Sequence, residues 1–290
     1  MPRPSMLLAL GALAATAVAC APASDSTTGA GKADASSPAT SCAKDQLALK
    51  TPGKLTVGTD KPAYEPWFKD DDPSNGKGFE SAVAYAIAKE LGFQNGEVAW
   101  STVKFDAAFA PGAKQFDFDL NQVSVTPDRA KVVDFSDGYY TVKQAVVALD
   151  GSKTAAATDL AALKTAKIGV QVGTTSLQAV KDVIQPSAEP NVYNEQIDVV
   201  NALKNKQVDA VVVDLPTAFY VTAAQVENSK LVGQFGAASG TPEVFGAVFE
   251  KGSPLVRCVN EAIGRLSGSG ELAKIEQEWL GSAAGAPELK

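Results

Sequence analysis

From Lys54 onward the chain alternates short β-branched runs with stretches whose apolar residues recur at helical spacing. Leu55-Thr56-Val57-Gly58-Thr59 reads as a strand. Phe79, Ala82, Val83, Ala86, Ile87 and Leu91 then mark one face of a helix, with Gly92 as its stop. Residues 98–103, 119–123, 145–149, 167–171, 191–193 and 210–213 are further predicted strands, with helices between them. Such alternation predicts an α/β fold built of parallel sheets flanked by helices. The body of about 240 residues is long for one sheet and suits two lobes. No short internal repeat interrupts it.

The composition closes several kinds of chemistry. The 290 residues include no His, which removes the usual general base of Ser-His-Asp and Cys-His nucleophiles and the commonest zinc ligand. Three scattered Cys do not form a thiolate cage. With 26 Lys+Arg against 33 Asp+Glu and no basic cluster, nucleic acid is not an expected partner. A hydrophobic fraction of 45% suffices for a substantial core.

The N-terminal part reads differently. Residues 6–19 form an apolar run of 14 residues after Arg3, shorter than the span of about 20 that a membrane helix needs. It reads as a signal peptide, residues 1–19. The run ends Ala17-Val18-Ala19-Cys20, which resembles a bacterial lipobox with Ala17 where Leu is usual, so Cys20 is the expected lipidation site. An ordinary signal peptide with an incidental Cys is the alternative. Residues 21–41 hold only Ala, Ser, Thr, Gly, Pro, Asp and one Lys, too little apolar surface to offset ordering entropy. Residues 20–42 are therefore expected to be a lipid anchor and flexible linker, leaving the body extracytoplasmic and tied to the cell membrane. Cys42 and Cys258 remain. In an oxidising compartment they form a candidate disulfide from the start of the body to a late helix, the alternative being two unrelated thiols.

Three segments carry candidate chemistry. Ser124-Val125-Thr126-Pro127-Asp128-Arg129 follows a predicted strand, where α/β proteins bind ligands, and its Arg fork matches a carboxylate. A surface pairing of Arg129 with Asp128 or Asp134 explains that stretch equally simply. Gly169-Val170-Gln171-Val172-Gly173-Thr174-Thr175-Ser176 runs from strand through a Gly turn into a helix. Its free N–H groups suit an anion, or Thr merely caps the helix. Val211-Val212-Val213-Asp214-Leu215-Pro216 puts Asp214 between a buried strand and a Pro-started helix, where it holds a cation or serves as an N-cap. Together, two anion-binding elements and one carboxylate suit a zwitterion.

These segments, with Val57-Gly58-Thr59-Asp60, Gly78-Phe79-Glu80, Val133-Asp134-Phe135-Ser136, Tyr139-Tyr140 and Val208-Asp209-Ala210, resemble the extracellular solute-binding proteins of polar amino acid ABC transporters (family 3) over roughly residues 55–280. The resemblance implies a two-lobe, type II periplasmic-binding-protein-like fold with two hinge crossovers. Lobe one would comprise 43–142 plus 243–285, lobe two 143–242, and 286–290 a tail. Arg129 would clamp the ligand α-carboxylate, aided by the N–H groups of Ser124 and Thr175, with Thr174 beside them. Asp214 would hold the α-ammonium with the Ser124 hydroxyl and the Gln122 carbonyl. Tyr64 and Phe105 would sandwich the ligand side chain. Tyr64 stands one residue further from Asp60 than the family pattern, so Trp67 or Phe68 is a substitute. Asn121 and Gln122 stand where small residues are common. Asp60, Glu80, Asn121 and Gln171 are candidate specificity groups. The implied partners are an amino acid ligand and an ABC transporter permease, for a monomeric chain with no cofactor, metal or catalytic residue.

Two alternatives use the same fold. A dehydratase of cyclic amino acid precursors would keep the Arg clamp and need a cleft acid such as Glu80 or Glu243. A ligand sensor would be expected to carry a transmembrane or signalling segment after the lobes, where Gly281 to Lys290 stand here.

Overall fold

A computed structural model of the chain describes residues 41–237, 240–281 and 286–290. The expected signal peptide, Cys20 and nearly all of the expected linker lie outside the described residues. The strands are β1 (Leu55–Thr59), β2 (Val98–Thr102), β3 (Phe118–Asp119), β4 (Val133–Val142), β5 (Gln144–Leu149), β6 (Ile168–Gln171), β7 (Asn191–Tyr193), β8 (Ala210–Asp214), β9 (Ser229–Phe235) and β10 (Glu243–Glu250). They form two five-stranded sheets of orders β2-β1-β3-β10-β4 and β7-β6-β8-β5-β9, one per lobe.

The chain crosses between sheets from β4 to β5 and again from β9 to β10. These crossings explain a departure from the expected parallel sheets. β1 is parallel to β2 and β3, and β6 to β7 and β8. β10, however, is antiparallel to β3 and β4, and β5 to β8 and β9. β1, β3, β6 and β8 run toward the cleft, and the strands that start at a crossing run away from it. The carboxyl ends of four strands therefore converge between the lobes, where open α/β sheets bind ligands.

In lobe one, α1 (Phe79–Glu90) presents Phe79, Val83 and Ile87 to the core at helical spacing, all fully buried. Gly78 at its start has φ 92°, and a Cβ there would stand 2.6 Å from the Phe68 Cα, so the chain just before α1 packs directly on the helix entrance. Gly58 lets β3 approach β1, since a Cβ would meet the Asp119 carboxylate at 2.6 Å. α2 (Phe105–Ala108) follows β2. α6 (Leu255–Gly268) and α7 (Glu271–Leu280) close the lobe against α1. A disulfide joins Cys42 to Cys258 of α6. Lobe two carries α3 (Thr175–Ala179), continued by a π-helical turn, then α4 (Gln196–Lys204) and α5 (Leu215–Tyr220). Its central strand β8 is buried on both faces, with Val212 in one core cluster and Val211 and Val213 in another.

Ala286–Lys290, expected as a tail, lies against lobe two. The Gln234 N–H donates to the Pro287 carbonyl, the Leu289 N–H to the Gln234 carbonyl, and Leu289 is buried in the lobe-two core. The chain thus passes to lobe two a second time after α7.

Candidate functional site

The strand ends surround an interlobe cavity of about 60 Å³. Lobe one contributes Asp60, Tyr64, Phe105, Asn121 and Gln122 to its wall. Lobe two contributes Gln171, Thr174, Thr175 and Asp214, with Ser176, Gln196, Val213 and Thr217, which sequence reasoning did not single out. Arg129, Ser124, Trp67 and Glu80 stand behind this wall.

Arg129 is 8% exposed and bridges the lobes. Its Nη1 donates to the Ser124 carbonyl and its Nη2 to the Gly173 carbonyl, both over 2.8 Å. The Phe109 ring lies 4.2 Å and the Phe105 ring 5.6 Å from the guanidinium carbon. Burial lowers its pKa to about 10, and the Glu243 and Asp214 carboxylates oppose the fall. A guanidinium has five N–H donors, so donors remain for a ligand carboxylate. Phe109 is the aromatic the sequence reading missed; its signal is the spacing of four from Phe105, one helical turn.

Asp214 starts α5 but makes no cap bond. Its Oδ1 instead accepts from Gln144 Nε2 over 2.9 Å. Burial, then the Glu243 carboxylate, push it well above the usual carboxylate range. Thr174 does cap α3: its hydroxyl accepts from the Leu177 N–H over 3.1 Å. Thr175 Oγ1 lies 3.3 Å from Ser124 Oγ across the cleft, and the Ser124 hydroxyl donates to Glu243 Oε1 over 2.5 Å.

At the other end of the cavity, Asp60 accepts the N–H groups of Lys61 (2.6 Å) and Phe105 (3.2 Å). Burial raises its pKa and those two N–H groups pull it back. One amide nitrogen on each of Asn121 and Gln196 is buried without a partner. Burial pushes the Tyr64 phenol up to about 12.

Three candidates have other work. Trp67, offered as a stacking ring, is fully buried and meets Phe79, Tyr140 and Phe245 edge-on at 5.5–6.0 Å. Its indole N–H donates to Thr217 Oγ1 of lobe two over 2.9 Å, so neither face nor edge is left for a ligand. Phe68, the other substitute, is buried against Trp100. Glu80 is fully buried and accepts from the Tyr139 hydroxyl (2.5 Å), the Gln122 N–H (2.7 Å) and the Gln122 side-chain amide. These bonds hold Gln122 in a left-handed turn at φ 50°. Burial still pushes Glu80 up to about 7. Among the described residues, no group of three or more His, Cys, Asp or Glu side chains is arranged to hold a metal ion.

Residues 55–282 match the bacterial extracellular solute-binding proteins, family 3. The chain belongs to that family. It is therefore a solute-binding protein of the two-lobe type II fold, acting outside the cytoplasm. The arginine-binding extracellular protein ArtP of Bacillus subtilis (strain 168) is 30% identical over 232 residues, 78% of this chain and 86% of ArtP. An ancestral arginine-binding protein, solved with arginine bound, superposes with a TM-score of 0.66 at 32% identity, over 79% of this solute-binding protein and 98% of that chain. The ancestral amino acid-binding protein AncCDT-1, described as a precursor of cyclohexadienyl dehydratase, superposes with a TM-score of 0.63 at 31% identity, over 78% and 95% of the two chains.

Proposed function

We propose that the protein is the substrate-binding component of an ABC importer and captures a polar L-amino acid in the interlobe cavity. The observation that carries this reading is Asp214: a carboxylate at a helix start that turns away from capping and toward a cavity with Arg129 behind it. In this reading Arg129 takes the ligand carboxylate, and the N–H groups of Ser124 and Thr175 assist it. Asp214 takes the ammonium. Lobes of residues 43–142 with 243–285, and of 143–242, would close over it. The cavity wall holds Asp60 and the part-unpartnered amides of Asn121 and Gln196, and neither Lys nor Arg. An acidic ligand side chain would stand there unpaired; an amide or cationic one would be matched.

A binding role fits the two candidate acids better than an enzymatic one. Glu80 is enclosed by Gln122 and Tyr139, and Glu243 is held by Ser124 and Gln144, so each candidate acid already has protein partners. We further propose that Cys20 carries the lipid that holds the monomer at the membrane near its permease. A thermal-shift screen of the common L-amino acids tests the central reading. A true ligand at about 100 times its Kd stabilises by about 2.7 kcal/mol, whereas a flat response rejects the reading. A first-order absorbance change on incubation with cyclohexadienyl acids would favour the enzyme, and mass spectrometry of the mature N-terminus decides the lipid.

A further inference from the structure

The Asp214 carboxylate has a neighbour at each crossing between the lobes. Gln144 opens β5 at the first and Glu243 opens β10 at the second. The Gln144 side-chain nitrogen donates to Asp214 Oδ1 over 2.9 Å and to Glu243 Oε2 over 3.1 Å. One amide, 1% exposed, thus holds two carboxylates with its two hydrogens. Its carbonyl accepts the Ser176 hydroxyl over 2.6 Å, which sets the end of the amide that faces the acids. The other Glu243 oxygen takes the Ser124 hydroxyl, so the 3.3 Å contact between Ser124 and Thr175 has Thr175 as donor. The groups that face the pair are Arg129, whose charge offsets one carboxylate, and Glu80, Tyr139 and Tyr140 of lobe one.

Two carboxylates gathered on one nitrogen in an enclosed cleft repel, and such pairs favour one shared proton. A cation placed beside them removes the reason for the proton. We propose that Glu243 is a second carboxylate of the ammonium subsite, held beside Asp214 by Gln144, and that without ligand Asp214 keeps a proton there which an arriving ammonium displaces into solvent. This rests on the amino acid reading above. The proton comes off the pair, not the ligand, so the bound ammonium keeps its charge and one proton goes to buffer.

The sign of the pH effect follows. Below the apparent pKa of Asp214 in this setting, binding must expel a proton, so affinity rises with pH by up to about tenfold per unit; above it, affinity is level. Glu243→Gln keeps an acceptor for Ser124 and leaves Asp214 as a lone carboxylate. Isothermal titration with L-arginine and L-glutamine, from about pH 5 to about pH 8 and in buffers of different ionisation enthalpy, should show a rising affinity and proton release in the wild type. Both should be lost in Glu243→Gln. An affinity that is level with pH in the wild type, or a variant that weakens binding equally at every pH while keeping the slope, would make Glu243 a structural brace and overturn the proposal. A second measurement needs no ligand. The carboxyl carbon resonances of the ligand-free protein should show a step for Asp214 above the ordinary carboxylate range, shifted down by about one unit or more in Glu243→Gln. An unmoved Asp214 step overturns the proposal even if no amino acid binds; binding failure with a moved step instead rejects the amino acid reading alone.

Discussion

Among the described residues, the ionisable side chains Asp60, Glu80, Lys114, Asp117, Asp119 and Arg129 are buried in lobe one, whereas the buried polar residues of lobe two, Gln144, Thr154, Ser176, Thr217 and Gln234, carry no charge, and Asp214 brings that lobe's carboxylate to the cavity wall. The apolar cores differ too. Lobe one packs Trp67, Phe68, Phe79, Phe118, Phe245 and Phe249 into its main cluster, with a smaller second cluster of Ala108, Val123, Val133 and Val248, while lobe two fills both faces mostly with Val, Ala and Leu. A buried charge is tolerable only inside a fixed shell of donors. Lobe one supplies such a shell at Asp117, which takes the N–H groups of Lys50 and Thr56 at 2.7 Å each, whereas both Asp119 oxygens are buried without a hydrogen-bond partner and burial pushes that carboxyl well above the usual range. The lesson is a division of labour. Lobe one holds most of the buried ionisable groups, and lobe two brings hydroxyls, backbone and the Asp214 carboxylate to the other side of the cleft.

Four measurements test this contrast. The largest effect is expected at Arg129. Removing it would leave a ligand carboxylate unpaired, so Arg129→Ala should weaken amino acid binding on the order of 10² to 10³. Thr175→Ala in lobe two, which removes one hydroxyl, should cost about tenfold or less. Equal losses in calorimetry would break the division between the lobes. Next, Phe79→Ala should lower unfolding free energy by about 3–5 kcal/mol in a denaturant titration, because the ring is fully buried and meets Tyr140 at 5.3 Å. A loss under about 1 kcal/mol would mean that the aromatic core of lobe one collapses around the gap.

The third test uses pH. Glu80 has its folded pKa raised from 4.5 to about 7, so its neutral form is the one the fold favours. Stability from this group is present in full below pH 4.5 and is lost as pH rises through about 7, after which the contribution is level. Glu80→Gln should remove that decline from a series of unfolding curves, on the order of a few kcal/mol at most. An unchanged slope would assign the decline to other buried acids of lobe one. The smallest effect is Ile168→Val in the lobe-two core, expected at about 0.5–1.5 kcal/mol, with amino acid affinity unchanged.

Much of the frame was legible in the chain. β1 and β7 fall on the predicted residues, and α1 follows the apolar spacing from Phe79 to Glu90. The predicted strand 119–123 is observed only at Phe118–Asp119, because the chain turns left-handed at Gln122 to bring Asn121 and Gln122 to the cavity. Local propensity does not register such a turn, since Glu80 imposes it from 42 residues away. The strands β4, β9 and β10 were not predicted: their residues lack a clean alternation, and β4 and β10 carry irregular register where they pair. Gln144 was invisible for a similar reason. Its bonds reach 70 residues to Asp214 and 99 to Glu243, and a lone Gln at the head of a Val-rich strand has no pattern of its own. Trp67 misled because an aromatic in a ligand-side loop and an aromatic in a core have the same local sequence appearance.

The Cys42–Cys258 bond has a mechanical consequence. Any pull on the segment before Cys42 enters the body at that residue. The covalent bridge hands the load straight to the first turn of α6, rather than through the hydrogen bonds of residues 43–54 and β1. Force therefore terminates in lobe one. Neither crossing between the sheets lies on that route, so a pull there would leave both crossings unloaded. The bridge would act as a strain relief, taking up load from the segment before Cys42 within lobe one.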